Sequence, residues 1–109
     1  MKYLMEQLEL ETLIGRNPDV PAPAGATMIY FTATWCGACR RLDLDLLQGS
    51  LATVNFLKCD VDQNNYSPGF CGVRAIPAFM LIRDGKILGN LQSSNTMEVV
   101  HWATTLLAN

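Results

Sequence analysis

Two runs, TMIYFTA over residues 27–33 and VNFLKCDV over residues 54–61, are short, rich in β-branched and aromatic residues, and carry few charges. Runs of this kind fit strands covered on both faces, since a solvated face would place a polar residue at every second position. Between them Cys39, Leu42 and Leu46 fall three and four apart, the spacing of one helical stripe. Strand, helix, strand in that order predicts a parallel crossover unit. Leu4, Leu8, Leu10, Leu13 and Ile14 recur near helical spacing ahead of it, and the pattern stops at GRNPDVPAPAG, whose prolines and glycines cannot continue a helix. Behind it AFMLIR and KILGNLQ flank Asp84-Gly85, a strong hairpin signal. From about Thr96 a last helix places Val99, Ala103, Leu106 and Leu107 on one stripe. The expected order is helix, strand, helix, strand, irregular connector, hairpin, helix, with residues 1–109 forming a single α/β domain.

Half of the 109 residues are apolar, enough for one core without structural disulfides or metals. The formal charge of −2, with no basic run longer than Arg40-Arg41, gives no footprint for nucleic acid or an anionic membrane. The N-terminus intersperses Glu6, Glu9 and Glu11 among its leucines, unlike a signal peptide, and no segment approaches the roughly 18 apolar residues of a membrane span. A soluble cytoplasmic monomer is the expectation. Four cysteines are too few for a disulfide-built scaffold, and in a reducing compartment a CxxC pair points to catalysis or metal binding.

That pair, Cys36-Gly37-Ala38-Cys39, stands where the first long strand meets its helix. If the helix begins near Cys36, unpaired N–H groups and the positive end of the helix dipole favour a thiolate there, making Cys36 the candidate nucleophile. Cys39, one turn later on the apolar stripe, points inward, while Gly37 and Ala38 leave room for a partner. An exposed low-pKa sulfur beside a shielded one suits dithiol exchange. Structural zinc is the competing reading, and it needs two more ligands. Cys59 and Cys71 form no second CxxC and the lone His101 lies in the last helix, so no metal is expected. Cys59 reads as a small buried residue, Cys71 either as packing or as a thiol near the substrate face, and Trp35 as part core and part contact surface.

Trp35-Cys36-Gly37-Ala38-Cys39-Arg40 after an apolar strand, the Ile76-Pro77 pair and the Asp84-Gly85 hairpin together resemble the thioredoxin family over roughly residues 27–107. The resemblance implies a thioredoxin-like fold, a central mixed sheet flanked by helices. The first 26 residues show no clear opening strand, so four strands are expected, or five if that segment supplies one. It also implies a protein disulfide reductase with Cys36 attacking and Cys39 resolving, a cis bond before Pro77, and a substrate surface made by Trp35, Gly37, Ala38, Ile76 and Pro77. Lys58 falls where the family has a semi-buried lysine behind the site. No bound cofactor is implied; the Cys36–Cys39 disulfide would be reduced by an external thioredoxin-reductase-type partner, and protein disulfides would be the substrates. A disulfide oxidase or isomerase, or a non-catalytic binding subunit, are the alternatives the family admits. Four positions depart from the pattern. Tyr30 stands where thioredoxins usually bury an aspartate that takes the resolving thiol's proton, and a phenol is a poor base at neutral pH. Ala38 and Leu44 replace prolines, and Ser93 replaces a glycine of the substrate groove.

Overall fold

The computed structural model describes residues 1–109, and its sheet has five strands in the order β1-β3-β2-β4-β5. β1 (Lys2–Tyr3) leads through α1 (Gln7–Leu13) to β2 (Ala26–Thr32), and a 3-10 turn (Ala38–Arg41) then precedes α2 (Leu44–Ser50) and β3 (Asn55–Asp60). α3 (Tyr66–Phe70), β4 (Ala78–Arg83), β5 (Lys86–Gln92) and α4 (Thr96–Leu107) complete the chain. β3 runs parallel to both β1 and β2, while β4 pairs antiparallel with β2 and β5. The crossover unit and the hairpin read from the sequence are therefore both present. Asp84 and Gly85 turn the hairpin with φ of 52° and 81°, the left-handed pair that matches the twist of the flanking strands.

Alternation along the central strands divides the interior into two cores. Met28 and Tyr30 of β2, with Phe56 and Phe79, face α2 and α4, meeting Leu47, Leu51, Val99, Ala103 and the cysteine pair. Ile29 and Phe31 point the other way, onto Leu10 and Leu13 of α1 and the thiols Cys59 and Cys71. Each fully buried large apolar side chain contributes about 1.5–3 kcal/mol, so central strands with both faces covered hold the sheet.

Three elements differ from the sequence reading. The opening strand exists, but it is two residues long and both are exposed; it survives because Leu4 and Asn64 tie it down, Leu4 N–H donating to the Lys58 carbonyl at 2.8 Å and Asn64 Nδ2 donating to the Leu4 carbonyl at 3.0 Å. Leu4 is buried as part of that entry, whereas Leu8, assigned to the same apolar stripe, faces solvent. The connector contains a helix, α3, hidden from pattern reading because its five residues include Pro68 and Gly69. The helix expected from Cys36 is one 3-10 turn followed by a break at Leu42 and Asp43. The break shifts the helical phase: Leu42 and Leu47 are buried, and Leu46, expected on the inner stripe, is 46% exposed.

Candidate active site

β2 ends at Thr32, and the backbone leaves the sheet through Ala33, Thr34 and Trp35, with Cys36 N–H donating to the Ala33 carbonyl at 3.2 Å. Cys36 and Cys39 are joined as a disulfide with Cα atoms 5.3 Å apart. The Cys39 N–H donates to Cys36 Sγ at 3.1 Å, so the backbone directs a donor at one of the two sulfurs. This single N–H does the work assigned to a helix terminus, because a one-turn 3-10 segment has little accumulated dipole. Such a bond favours a thiolate at Cys36 once the disulfide opens. Arg40 and Arg41 are exposed, and Arg40 Nη2 donates to the Thr34 carbonyl at 3.4 Å, bracing the loop.

The expected contrast between an exposed and a shielded cysteine is absent from the oxidised form: Cys36 is 5% and Cys39 7% exposed. Gly37 stands open beside them, with nothing within 4 Å of where a Cβ would lie, and Ala38 starts the turn half-buried. Trp35 is 66% exposed, so it is contact surface and not core; its Nε1 donates to Asp62 Oδ2 at 2.8 Å, which fixes the indole above the site.

Opposite the sulfurs, the Ile76–Pro77 bond is cis and the Pro77 carbonyl accepts from Ser93 N–H at 3.2 Å. Neither the N–H nor the C=O of Ile76 has a partner in the fold. Two open grooves meet at this residue. One, of about 350 Å³, runs past Ala38, Pro77, Ser93, Asn95 and Glu98. The other, of about 370 Å³, is mostly apolar, made by Trp35, Val61, Pro68, Val73, Arg74 and Ala75.

Behind the disulfide, one row of residues crosses four strands: Tyr3 pairs with Lys58, Lys58 with Tyr30, and Tyr30 with Phe79. Tyr30 is buried and stacks on Phe79 with ring centroids 5.2 Å apart. Burial pushes its phenol above the ordinary pKa, the Thr32 hydroxyl opposing part of the shift. The phenol therefore stays protonated at neutral pH. Lys58 holds its ammonium 5.6 Å from the Tyr3 ring centre, a cation–π contact, with aromatic strand neighbours on both sides. It is half-buried on β3 and faces no carboxylate there.

The site is thus a CxxC disulfide at the end of a central strand of a five-stranded mixed sheet, with a cis-proline beside it. The family model described as Thioredoxin matches residues 17–105. The chain belongs to the thioredoxin family. It is 39% identical over 89 residues to the mitochondrial thioredoxin-3 of Saccharomyces cerevisiae, covering 80% of this chain and 65% of that one. To the thioredoxin of Staphylococcus saprophyticus it is 33% identical, over 77% of this chain and 88% of that one. The chain thus spans just under two thirds of the length of the yeast relative. Among solved structures, the oxidised yeast mitochondrial thioredoxin 3 superposes with a TM-score of 0.82 at 29% identity, over 96% of this chain and 94% of that one. The thioredoxin of Fasciola hepatica gives 0.80 at 31% identity, over 96% and 98%.

Against this thioredoxin frame, Cys36, Cys39, Trp35, Gly37, Ala38, Ile76 and Pro77 gather at one end of the sheet. Cys71 does not join them. It caps α3 in the core on the other side of the sheet, its Sγ 3.6 Å from Met80 Sδ, away from the substrate face. Burial lifts its pKa to about 11; Cys59, buried beside Asn64 and facing Cys71 and Asp60, is lifted to about 12. Sequence reasoning missed Asp62 as the anchor of Trp35 and missed Asn95 and Glu98 in the groove. The spacing of Asn95 and Glu98 did carry a signal, that of a helix cap: Asn95 Oδ1 accepts from Glu98 N–H at 3.0 Å.

Proposed function

We propose that the chain is a thioredoxin-type protein disulfide reductase, working in the cytoplasm as a monomer. The observation that carries the reading is the Cys39 N–H bonded to Cys36 Sγ, which distinguishes the two sulfurs chemically. In the reduced protein the Cys36 thiolate attacks a substrate disulfide; a Cys36–substrate bond forms, the substrate S–S bond breaks, and one substrate sulfur leaves and takes up a proton. Cys39 gives up its proton and attacks Cys36 Sγ, the mixed disulfide breaks, and the second substrate thiol departs. Two electrons have passed from the dithiol to the substrate, whose two thiols take one proton from Cys39 and one from solvent, and the Cys36–Cys39 disulfide remains. Its reduction requires an external dithiol donor of the thioredoxin-reductase type, the partner that the family likeness supports. The unpaired Ile76 N–H and C=O fit the backbone of an extended substrate segment, by the same strand addition that other sheet edges use.

The test is trapping. Cys39→Ser is expected to accumulate mixed disulfides with protein substrates and Cys36→Ser to form none, with insulin reduction lost in both. Mixed disulfides on Cys39 in the Cys36→Ser protein would reverse the assignment. Trapping by neither, with insulin binding intact, would make the chain a docking subunit.

A further inference from the structure

The two grooves that meet at Ile76 are each lined by one ionisable residue, of opposite sign, the Asp62 carboxylate beside Trp35 being engaged by the indole Nε1. Glu98 is the one ionisable residue lining the groove past Ser93, and Arg74 is the one lining the groove past Trp35. Both residues are exposed, and neither side chain has a hydrogen-bonding or ionic partner in the fold; the helix cap uses only the backbone N–H of Glu98. Charges held this way beside a binding cleft are free to pair with a guest and to act on its approach. Direction follows from the backbone. Residues 74 to 77 run from the Trp35 groove toward the Ser93 groove, and the free Ile76 N–H and C=O accept an extended guest. Antiparallel pairing is the more stable arrangement per residue, so the guest enters beside Pro77 and Ser93 and leaves past Arg74.

Resting on the reductase reading above, we propose that Glu98 and Arg74 select the substrate: the target cysteine lies in a segment that is basic on its N-terminal side and acidic on its C-terminal side. The basic flank occupies the Glu98 groove and the acidic flank meets Arg74. The apolar wall of Trp35, Val61 and Val73 adds contact without reading charge. The selection is electrostatic and near solvent, so each flank contributes about two- to fivefold in kcat/KM, the range of exposed ion pairs, and the effect shrinks as salt rises.

The experiment uses two peptides of identical composition, each a mixed disulfide of its single cysteine with 2-mercaptoethanol. One carries two lysines before the cysteine and two glutamates after it; the other is the mirror arrangement. Wild type is expected to reduce the first with the higher kcat/KM at low salt, and the double variant Glu98→Lys, Arg74→Glu to invert the ratio. Equal rates, a preference for the mirrored peptide, or a preference that the double variant does not invert overturns the proposal. Wild-type reduction of insulin, the assay of the reductase reading above, is measured in parallel. Failure to reduce it overturns the reductase reading itself, and this proposal with it, whereas its reduction without peptide preference overturns the selection alone.

Discussion

Tyr30 sets this site apart at the level of single residues. A protonated phenol stacked on Phe79 stands at the position where the family resemblance places a carboxylate that takes the Cys39 proton, and the neighbouring Lys58 faces Tyr3. Attack by Cys36 is independent of that proton, but collapse of the mixed disulfide is not. Tyr30→Asp is expected to raise the resolving rate at neutral pH by about 10²-fold, the lower end of general-base effects, and to leave attack unchanged. The same substitution removes a buried ring, so the melting midpoint should fall in line with about 3–5 kcal/mol, the range for large aromatic truncations in a core. Rapid mixing with a chromogenic disulfide separates the two rates; an unchanged resolving rate in a folded variant assigns the proton transfer to water or Lys58. Cys59 and Cys71 act on stability instead. Burial raises both from an ordinary value near 9, to about 12 and about 11, so the fold holds these protons more tightly than the unfolded chain does. Their contribution is full below about pH 9 and is lost progressively as pH rises through 11 and 12, at up to about 1.4 kcal/mol per pH unit for each thiol. Urea melts from pH 8 to 11 should show that loss, and Cys59→Ala should flatten the slope while lowering stability at pH 8.

At the scale of elements, the segment after the cysteines shows how a helix is interrupted without a proline. The break between the 3-10 turn and α2 exists without a proline because Asp43 caps α2, its Oδ1 accepting from Leu46 N–H at 3.0 Å while its own N–H donates to Thr96 Oγ1 at 2.9 Å. Leu44 is the first residue of α2, where the N–H has no intrahelical partner, and Asp43 is extended at φ −94° and ψ 94°, a conformation that tolerates a following proline. Leu44→Pro is therefore expected to change stability by no more than about 1 kcal/mol, against about 3 kcal/mol for a proline inside a helix. Asp43→Ala is expected to cost about 1 kcal/mol from the lost cap alone, since the bond to Thr96 uses the backbone N–H that alanine keeps; thermal melts compare the two variants. The same residues mark the limit of pattern reading. β2, β3, the hairpin and α4 were legible because their periodicity and turn chemistry are local. The phase shift at Leu42 was not, since it depends on Asp43 meeting Thr96, 53 positions away. α3 was hidden behind its own Pro68 and Gly69. The sulfur pair and the cis-proline were legible from the motif, while the burial of both cysteines and the charges of the two grooves required the chain to be folded.

Across the whole molecule, the sheet has the Cys36–Cys39 pair on one side and the thiols Cys59 and Cys71 in the core on the other, and one buried side chain holds that second core closed. Asn64 donates through Nδ2 to the Leu4 carbonyl, accepts through Oδ1 from Ser67 N–H at 3.1 Å, and offers its own carbonyl to Cys59 Sγ at 3.7 Å. It thus joins β1, β3 and α3 at one point. β1 has only two residues of its own, so α1 and the buried Leu4 depend on this junction. Removing the amide leaves the Leu4 carbonyl and the Ser67 N–H without partners, in a region where the Ser67 hydroxyl already lacks one, and each such group costs about 1–3 kcal/mol. Asn64→Ala is expected to convert opening of residues 1–14 into a separate low-energy event, well below global unfolding. In hydrogen exchange the amides of Leu4, Leu10 and Ile14 should lose protection while those of β2 and β4 keep theirs. In thiol labelling of the oxidised protein, Cys59 and Cys71 should react faster by the same factor, because both lie under the segment that opens. The cysteine pair itself packs in the other core, with only Val61 and Ile76 touching both, so the initial rate at which the variant's Cys36 attacks a small disulfide should match wild type. A parallel loss of exchange protection in β4 and of that attack rate would show that the two cores open together, and that the sheet does not insulate one from the other.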